Sequence, residues 1–340
     1  MPSQKRDLDD RKFMRAALAE ARKGVGRTHP NPAVGAVIVS GGRIIAAGWH
    51  KGAGLPHAEI EALRALNRSA RGATIYVTLE PCSTHGRTPP CCDAIAHAGF
   101  SRVVYGATDP NPKHAGRADK LLAGHGIKVT SGVLGEECAE LNRHWNKWIA
   151  TGLPYVVAKA AMTLDGRIAS HPESRWLSNE RSRREVMKLR SRMGAIMVGG
   201  ETVRIDDPQL TVRGMPVAKQ PLRAVWTRTG NLPASARVLQ SPDPATVFQN
   251  VPLARALRQL GERGVPSVLL EGGGRLLGEA FDRKLVDEVC LYLAPMIAGG
   301  PTPTVAGRGV GASVEGFALE SVSYQRIGDD VCLTGRVARN

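Results

Sequence analysis

The chain has 340 residues, 42% hydrophobic and 23% charged, with a formal net charge of +15. That length suits two domains with a core each, and that balance suits a soluble globular protein. No run approaches the roughly 18–20 apolar residues of a membrane span, the charged N-terminus lacks a secretory apolar stretch, and 4% aromatic content is poor for base stacking, so a cytoplasmic protein drawing anionic small molecules is expected, with no membrane and no nucleic-acid partner.

In chain order, residues 7–24 read as an amphipathic helix closed by Gly24. Residues 28–40 read as a loop entering a strand, Gly41 and Gly42 as a tight turn needing positive φ, and 43–50 as the returning strand. Ile60, Leu63 and Leu66 give 57–66 a helical period. A β-rich run over 73–79 is followed by a short helix over 89–99, bounded by prolines and Gly99. A strand over 102–107, a helix over 117–124, a short strand over 127–130 and a helix over 135–150 complete the first half. Strands alternating with helices imply an α/β layered sandwich. The break at ATGLP (150–154) divides the chain into 1–150 and 151–340.

The second half alternates again. Strands are expected over 155–162, 195–200, 223–226, 267–274 and 286–295, and helices over 178–193, 253–264 and 275–285. This is a second α/β unit with no sequence repeat of the first.

Six cysteines are too few for a disulfide scaffold of this size, but Cys82, Cys91 and Cys92 cluster. His57-Ala58-Glu59, Pro81-Cys82 and Cys91 together offer three metal ligands and one carboxylate. A zinc site that activates water keeps three protein ligands and an open position, and a carboxylate beside the metal moves protons. His57, Cys82 and Cys91 are therefore the candidate ligands and Glu59 the proton shuttle. His57 follows Pro56 at a helix start, so it can escape the rule that i and i+2 point apart in a helix. Cys91 falls in a first helical turn, where amide dipoles favour a thiolate. Zinc there would lower the pKa of water to about 7. Each residue alone would more often be structural; the combination is hard to reach by chance. Cys92, Cys138, Cys290 and Cys332 read as core.

HAEIEAL, TLEPCSTHGRTPPCC and ATDPNP resemble the bifunctional riboflavin-biosynthesis deaminase–reductase family. The spacing of eight residues between Cys82 and Cys91 fits that family better than the common Pro-Cys-x-x-Cys of other zinc deaminases. AKAAMTLDGRIA, VGGETVRIDDPQLTVR and LLEGGG resemble its reductase half. The resemblance spans nearly the whole chain. It implies a cytidine-deaminase-like α/β/α domain followed by a dihydrofolate-reductase-like α/β domain. It implies deamination of a phosphorylated diaminopyrimidine, then NADPH-dependent reduction of the ribosyl side chain to ribityl, with Zn2+ and NADPH as cofactors. A homo-oligomer, dimer or tetramer, is expected.

By the same resemblance, Asn31, Arg87, Asp109 and Asn111 would contact the first substrate. Lys159 and Glu271 would bind the second substrate or handle its proton. Ala161, Trp176, Thr202, Asp206, Gly273 and Gly274 would line the cofactor, and Ser174, Leu210 and Arg213 would hold the phosphorylated substrate. Arg213 has a rationale of its own, since guanidinium pairs bidentately with phosphate. Two departures stand out: Thr84 where the family carries His, and Lys113-His114 where it carries an apolar pair. Arg228 would reach the 2′-phosphate of NADPH. Glu271-Gly272-Gly273-Gly274 follows an apolar strand, so its amides could approach phosphate; Leu277 breaks the Gly-x-Gly-x-x-Gly pattern, which disfavours a Rossmann reading.

Two other readings stay open at this point. A nucleic-acid base deaminase would use the +15 charge but leave the motifs of the second half idle. A zinc-stabilised scaffold would need a fourth protein ligand.

Overall fold

The computed structural model describes residues 2–66, 69–84, 89–112, 114–168, 176–240 and 242–338. It divides into two compact units, Met1–Thr151 and Gly152–Asn340. No described helix is long and apolar enough to cross a membrane.

The first unit runs α1 (Pro2–Arg22), β1 (Gly35–Ser40), β2 (Arg43–Trp49), α2 (Ala58–Ala65), β3 (Thr74–Leu79), α3 (Cys91–His97), β4 (Arg102–Ala107), α4 (Arg117–Gly124), β5 (Lys128–Thr130), α5 (Gly135–Leu141) and α6 (Arg143–Thr151). Its sheet has the order β2-β1-β3-β4-β5. β1 is antiparallel to β2 and β3; β3, β4 and β5 are parallel. The β1–β2 turn is the expected one: Gly41 and Gly42 both adopt positive φ, as a two-residue hairpin with the right twist requires.

Tyr76 and Gly106 face α1 and α5, while Tyr105 on the opposite face donates to Asp119 of α4. Helices thus cover both sides of the sheet, as the alternating pattern implied. Gly48 of β2 shows how closely one of them lies. A Cβ there would stand 2.3 Å from the Ala62 nitrogen, so α2 rests on bare backbone. That contact sets the tilt of the helix that begins with His57 and Glu59.

The single helix expected over 135–150 is two helices. Asn142 breaks it by accepting a hydrogen bond from Ala33 N–H at 2.8 Å and donating to the Ala33 carbonyl at 2.9 Å. A tertiary amide contact overrides local propensity there.

The second unit runs β6 (Tyr155–Thr163), α7 (Glu180–Ser191), β7 (Ala195–Gly199), α8 (Gly200–Asp206), β8 (Leu222–Thr227), β9 (Thr246–Gln249), α9 (Leu253–Glu262), β10 (Ser267–Glu271), α10 (Gly274–Asp282), β11 (Glu288–Ala294), β12 (Leu319–Ile327) and β13 (Asp330–Val337). The sheet order is β12-β13-β11-β6-β10-β7-β8-β9, parallel from β11 to β9 and closed by the antiparallel β12–β13 hairpin. α8, β9 and the hairpin have no counterpart in the sequence expectation. The expected strand over 267–274 ends at Glu271, because the glycines open α10 instead of extending β10.

Two apolar layers sandwich this sheet. Val156, Ala158, Val268 and Leu270 pack with Leu257, Leu276 and Ala280 of α9 and α10. Tyr155, Val157, Leu269 and Cys290 pack with Val186 of α7. Lys159 alternates onto this second face, the one that α7 covers.

Candidate functional site

In the first unit, three strand ends and helix starts converge. His57 is the N-cap of α2 with extended backbone, φ −71° and ψ 167°. That conformation turns its ring toward the face where Glu59 is buried, although the two are only two positions apart. Cys82 follows β3, and Cys91 opens α3 behind Pro90. The Cys91 N–H, a first-turn donor with no partner in its own helix, donates to Cys82 Sγ at 3.2 Å, and Cys92 N–H donates to the Cys82 carbonyl at 3.2 Å.

His57 Nδ1 lies 3.3 Å from Cys91 Sγ and 3.6 Å from Cys82 Sγ, and the three ligand atoms all fall within 4.8 Å of one another. Tetrahedral zinc, with bonds of about 2.0–2.3 Å, separates its nitrogen and sulfur ligands by about 3.6 Å. The donor set and its spacing therefore fit zinc. Among the described residues these three form the one such group of His, Cys, Asp or Glu. The hydrogen bond between the two thiols pulls Cys82 down, toward the thiolate a metal needs, and, with burial, pushes Cys91 up, against the first-turn thiolate expected there. Burial pushes the Glu59 carboxyl up to about 7, with the Cys82 charge adding to the effect. A carboxyl so placed can hold or release a proton near neutrality.

Around this centre, Asn31 Nδ2 lies 3.0 Å from His50 Nε2, and His50 Nδ1 lies 3.0 Å from the Pro56 carbonyl. The Pro56 acceptor puts the His50 proton on Nδ1, so Nε2 accepts from Asn31. His50 also stands edge-on to His57, ring centroids 5.4 Å apart. Asp109 is buried and accepts the Asn111 N–H at 2.8 Å. Thr84 Oγ1 lies 3.2 Å from His114 Nδ1, so the two departures noted in the sequence touch. Arg87 and Lys113 lie outside the described residues. Cys92 and Cys138 are core, as expected; Cys92 Sγ points at the Pro81 carbonyl.

In the second unit, Glu271 ends β10 directly opposite Lys159 of β6 in the parallel register, with Lys159 Nζ 3.9 Å from Glu271 Oε2. Arg190 of α7 reaches the same carboxylate with two hydrogen bonds, Nε to Oε1 at 2.6 Å and Nη2 to Oε2 at 2.8 Å. It donates a third to the Thr211 carbonyl at 2.9 Å. Burial works against the Glu271 charge, yet Arg190 and then Lys159 hold the carboxyl below its ordinary range.

Arg190 escaped the sequence reading because α7 also carries Arg181, Arg183 and Arg184. Only its burial, 8% exposed, sets it apart. The Thr211 segment also carries Arg213, whose pKa is lowered first by burial and then by the charges of Arg190 and Arg237. Arg213 thus lies within electrostatic reach of Arg190 and Arg237.

Thr202 of α8 accepts the Gly273 N–H at 3.1 Å, which brings these two predicted cofactor residues together. Ala161 lies two residues past Lys159 on the same face of β6, half-buried. Trp176 is exposed under the Arg183 guanidinium, 5.1 Å from its ring centroid, and Asp206 ends α8. Gly274 faces protein: a Cβ there would sit 2.3 Å from the Pro303 carbonyl. The Leu210 side chain is core, packed with Ile196 and Val203, so it presents backbone rather than side chain. Arg228 is exposed just past β8, and Ser174 lies outside the described residues. Cys290 and Cys332, read as separate core residues, meet across β11 and β13 at 3.8 Å.

Comparisons with known proteins agree with this division. The model for the cytidine and deoxycytidylate deaminase zinc-binding region matches residues 8–107, and the model for the RibD C-terminal domain matches residues 154–333. The riboflavin biosynthesis protein RibD of Escherichia coli (strain K12) is 38% identical over 364 residues, covering 96% of this chain and 99% of that protein. The structure of Acinetobacter baumannii RibD superposes with a TM-score of 0.92 at 33% identity, covering 98% of this chain and all of that one. A Thermotoga maritima structure described as a diaminohydroxyphosphoribosylaminopyrimidine deaminase and 5-amino-6-(5-phosphoribosylamino)uracil reductase superposes with a TM-score of 0.88 at 34% identity, covering 98% of this chain and 100% of that one.

Proposed function

Because the chain belongs to the RibD family of bifunctional deaminase–reductases of riboflavin biosynthesis, we propose how its residues divide the two reactions. In the first, water replaces an amino group of the diaminopyrimidine ribotide and releases ammonia. Zinc held by His57, Cys82 and Cys91 supplies, when bound, the Lewis acidity that makes water a nucleophile at neutral pH. Glu59 moves the protons: it takes one from the attacking water and passes it to the exocyclic amino nitrogen, whose bond to the ring carbon breaks as ammonia leaves. Asn31, oriented by His50, holds the ring together with Asp109 and Asn111, and Arg87 is assigned to the phosphate end.

In the second reaction NADPH supplies, when bound, the hydride for the ribosyl carbon. Glu271, kept charged by Arg190, accepts hydrogen bonds from the sugar hydroxyls and makes a poor acid. Lys159, 3.9 Å from it, is assigned the proton delivery. Arg213, with Arg190 and Arg237 near it, takes the phosphate, and the backbone at Leu210 and the side chain of Ser174 complete that grip. Thr202 and Gly273, with Ala161, Trp176, Asp206 and Gly274, form the cofactor wall.

A reducing cytoplasm suits a site that depends on two free thiols, and all six cysteines are free. The β12 edge, exposed along most of its length, supports the expectation of a homo-oligomer.

The observation that carries this reading is the meeting of three ligand atoms within 4.8 Å beside a buried carboxyl. Glu59→Gln tests it. Ammonia release should fall by about 10²–10⁴, with about one zinc per chain retained and NADPH oxidation of supplied deaminated ribotide unchanged. Ammonia release at the normal rate would remove Glu59 from its role.

A further inference from the structure

The loop between β4 and α4, described over 108–112 and 114–116, carries Asp109, Asn111 and His114. Glu80, two residues before the ligand Cys82, is only 3% exposed and points its carboxylate into this loop. Oε2 accepts the N–H of Asp109 at 3.2 Å and of Gly116 at 3.0 Å, and Oε1 accepts the N–H of Ala118 at 3.2 Å. Its own N–H donates to the Ala107 carbonyl at 2.8 Å. Two residues after Cys82, Thr84 meets His114 of the same loop. The ligand is thus flanked on both sides by residues that grip one loop.

A buried carboxylate that accepts three main-chain donors is a strong local tie. Charge-assisted hydrogen bonds are about twice as strong as neutral ones. Losing the acceptor leaves several buried N–H groups to be satisfied elsewhere. None of these donors belongs to the zinc ligands or to Glu59. The bonds go instead to the segment that presents Asp109 and Asn111.

We infer that Glu80 is a positioning residue of the deaminase: it fixes the two ends of the β4–α4 loop, at Asp109 and Gly116, relative to Cys82, so that Asn111 and Asp109 hold the substrate ring where water attacks. The inference rests on the reading of Asp109 and Asn111 as substrate contacts. In this reading Glu80 acts through the loop and not on the substrate or the metal. Its removal therefore loosens substrate binding and leaves the proton shuttle in place.

The test is Glu80→Gln, which keeps the shape of the side chain but turns one acceptor into a donor facing a backbone N–H. KM for the diaminopyrimidine ribotide should rise roughly 10- to 100-fold, the scale of one or two lost charge-assisted bonds. kcat should stay within about threefold, zinc content should be unchanged, and the reductase half should be normal on supplied deaminated ribotide. Asn111→Ala should raise KM alone, and adding Glu80→Gln to it should add little, because both act through one contact. Loss of zinc, a fall in kcat at unchanged KM, or full multiplication of the two effects would overturn the inference. Unchanged KM in Asn111→Ala would overturn the substrate reading itself; a rise there with none in Glu80→Gln would overturn only the role of Glu80. Should Glu80→Gln not fold, Glu80→Asp decides, with a smaller KM rise in support and an unchanged KM against.

Discussion

Around Cys82 the groups that hold one another are short side chains and main-chain amides at the ends of elements. Cys91 N–H grips a sulfur, and two loop amides and one from the first turn of α4 grip Glu80. Around Glu271, at the end of β10, the grip comes from long side chains, Lys159 within β6 and Arg190 in the last turn of α7, whose charges converge on one carboxylate. The first arrangement needs a cation to complete it. The second is already charge-paired and needs a substrate anion and a cofactor. The contrast teaches that short ligand side chains meet only where the chain itself brings element ends together, whereas long charged side chains can converge on one carboxylate from separate elements.

If the contrast is right, each centre breaks by its own chemistry. Stripping zinc with a chelator should take ammonia release down by on the order of 10³-fold or more, and leave NADPH oxidation of supplied deaminated ribotide intact. Equal loss of both rates would dissolve the distinction. Glu271→Gln is the converse. It leaves Arg190 buried with no counter-charge, which costs about 3–5 kcal/mol of stability, seen as a lowered denaturation midpoint of the second unit. NADPH oxidation should fall about 10²-fold, since general acid–base and charge-positioning losses are of that order. Deamination should hold.

The smallest effect sharpens the picture of the first unit. His144 of α6 is pulled down to about 3, by burial first and then by Arg143 and His29. Folded, it stays neutral, while in the unfolded chain it titrates near 6.5. Its contribution therefore turns unfavourable as pH falls below 6.5, because the unfolded state takes up a proton that the folded state refuses. The loss approaches about 1.4 kcal/mol per pH unit. His144→Gln should flatten that slope, read as the difference between denaturation midpoints at pH 7 and pH 5. Parallel slopes in both proteins would show that His144 does not titrate on unfolding.

Legibility in the sequence followed the same divide. His57, Glu59, Cys82 and Cys91 could be read because each sits at a punctuation mark of the chain: a proline, a strand end, a helix start. The alternation of strands and helices could be read for both halves because its period is local. Arg190 could not, because its partner lies 81 positions away and its helix carries three other arginines. Nor could Glu80, since an acidic residue before Pro-Cys carries no sign of which amides it will meet. The break at Asn142 and the β12–β13 hairpin depended on tertiary pairing that periodicity does not encode. Gly273 and Gly274 were legible as a pair but not as two different things, one amide meeting Thr202 and one bare surface pressed to Pro303.

Gly48 bears on how an inert copy of this enzyme would be recognised. A gene in decay could keep every ligand and its acid and still be silent, since a single methyl group at position 48 would collide with the Ala62 nitrogen and swing the helix that aims His57 and Glu59. An inventory of reactive side chains would pass such a copy as sound. The fault would lie in a residue that has no side chain at all.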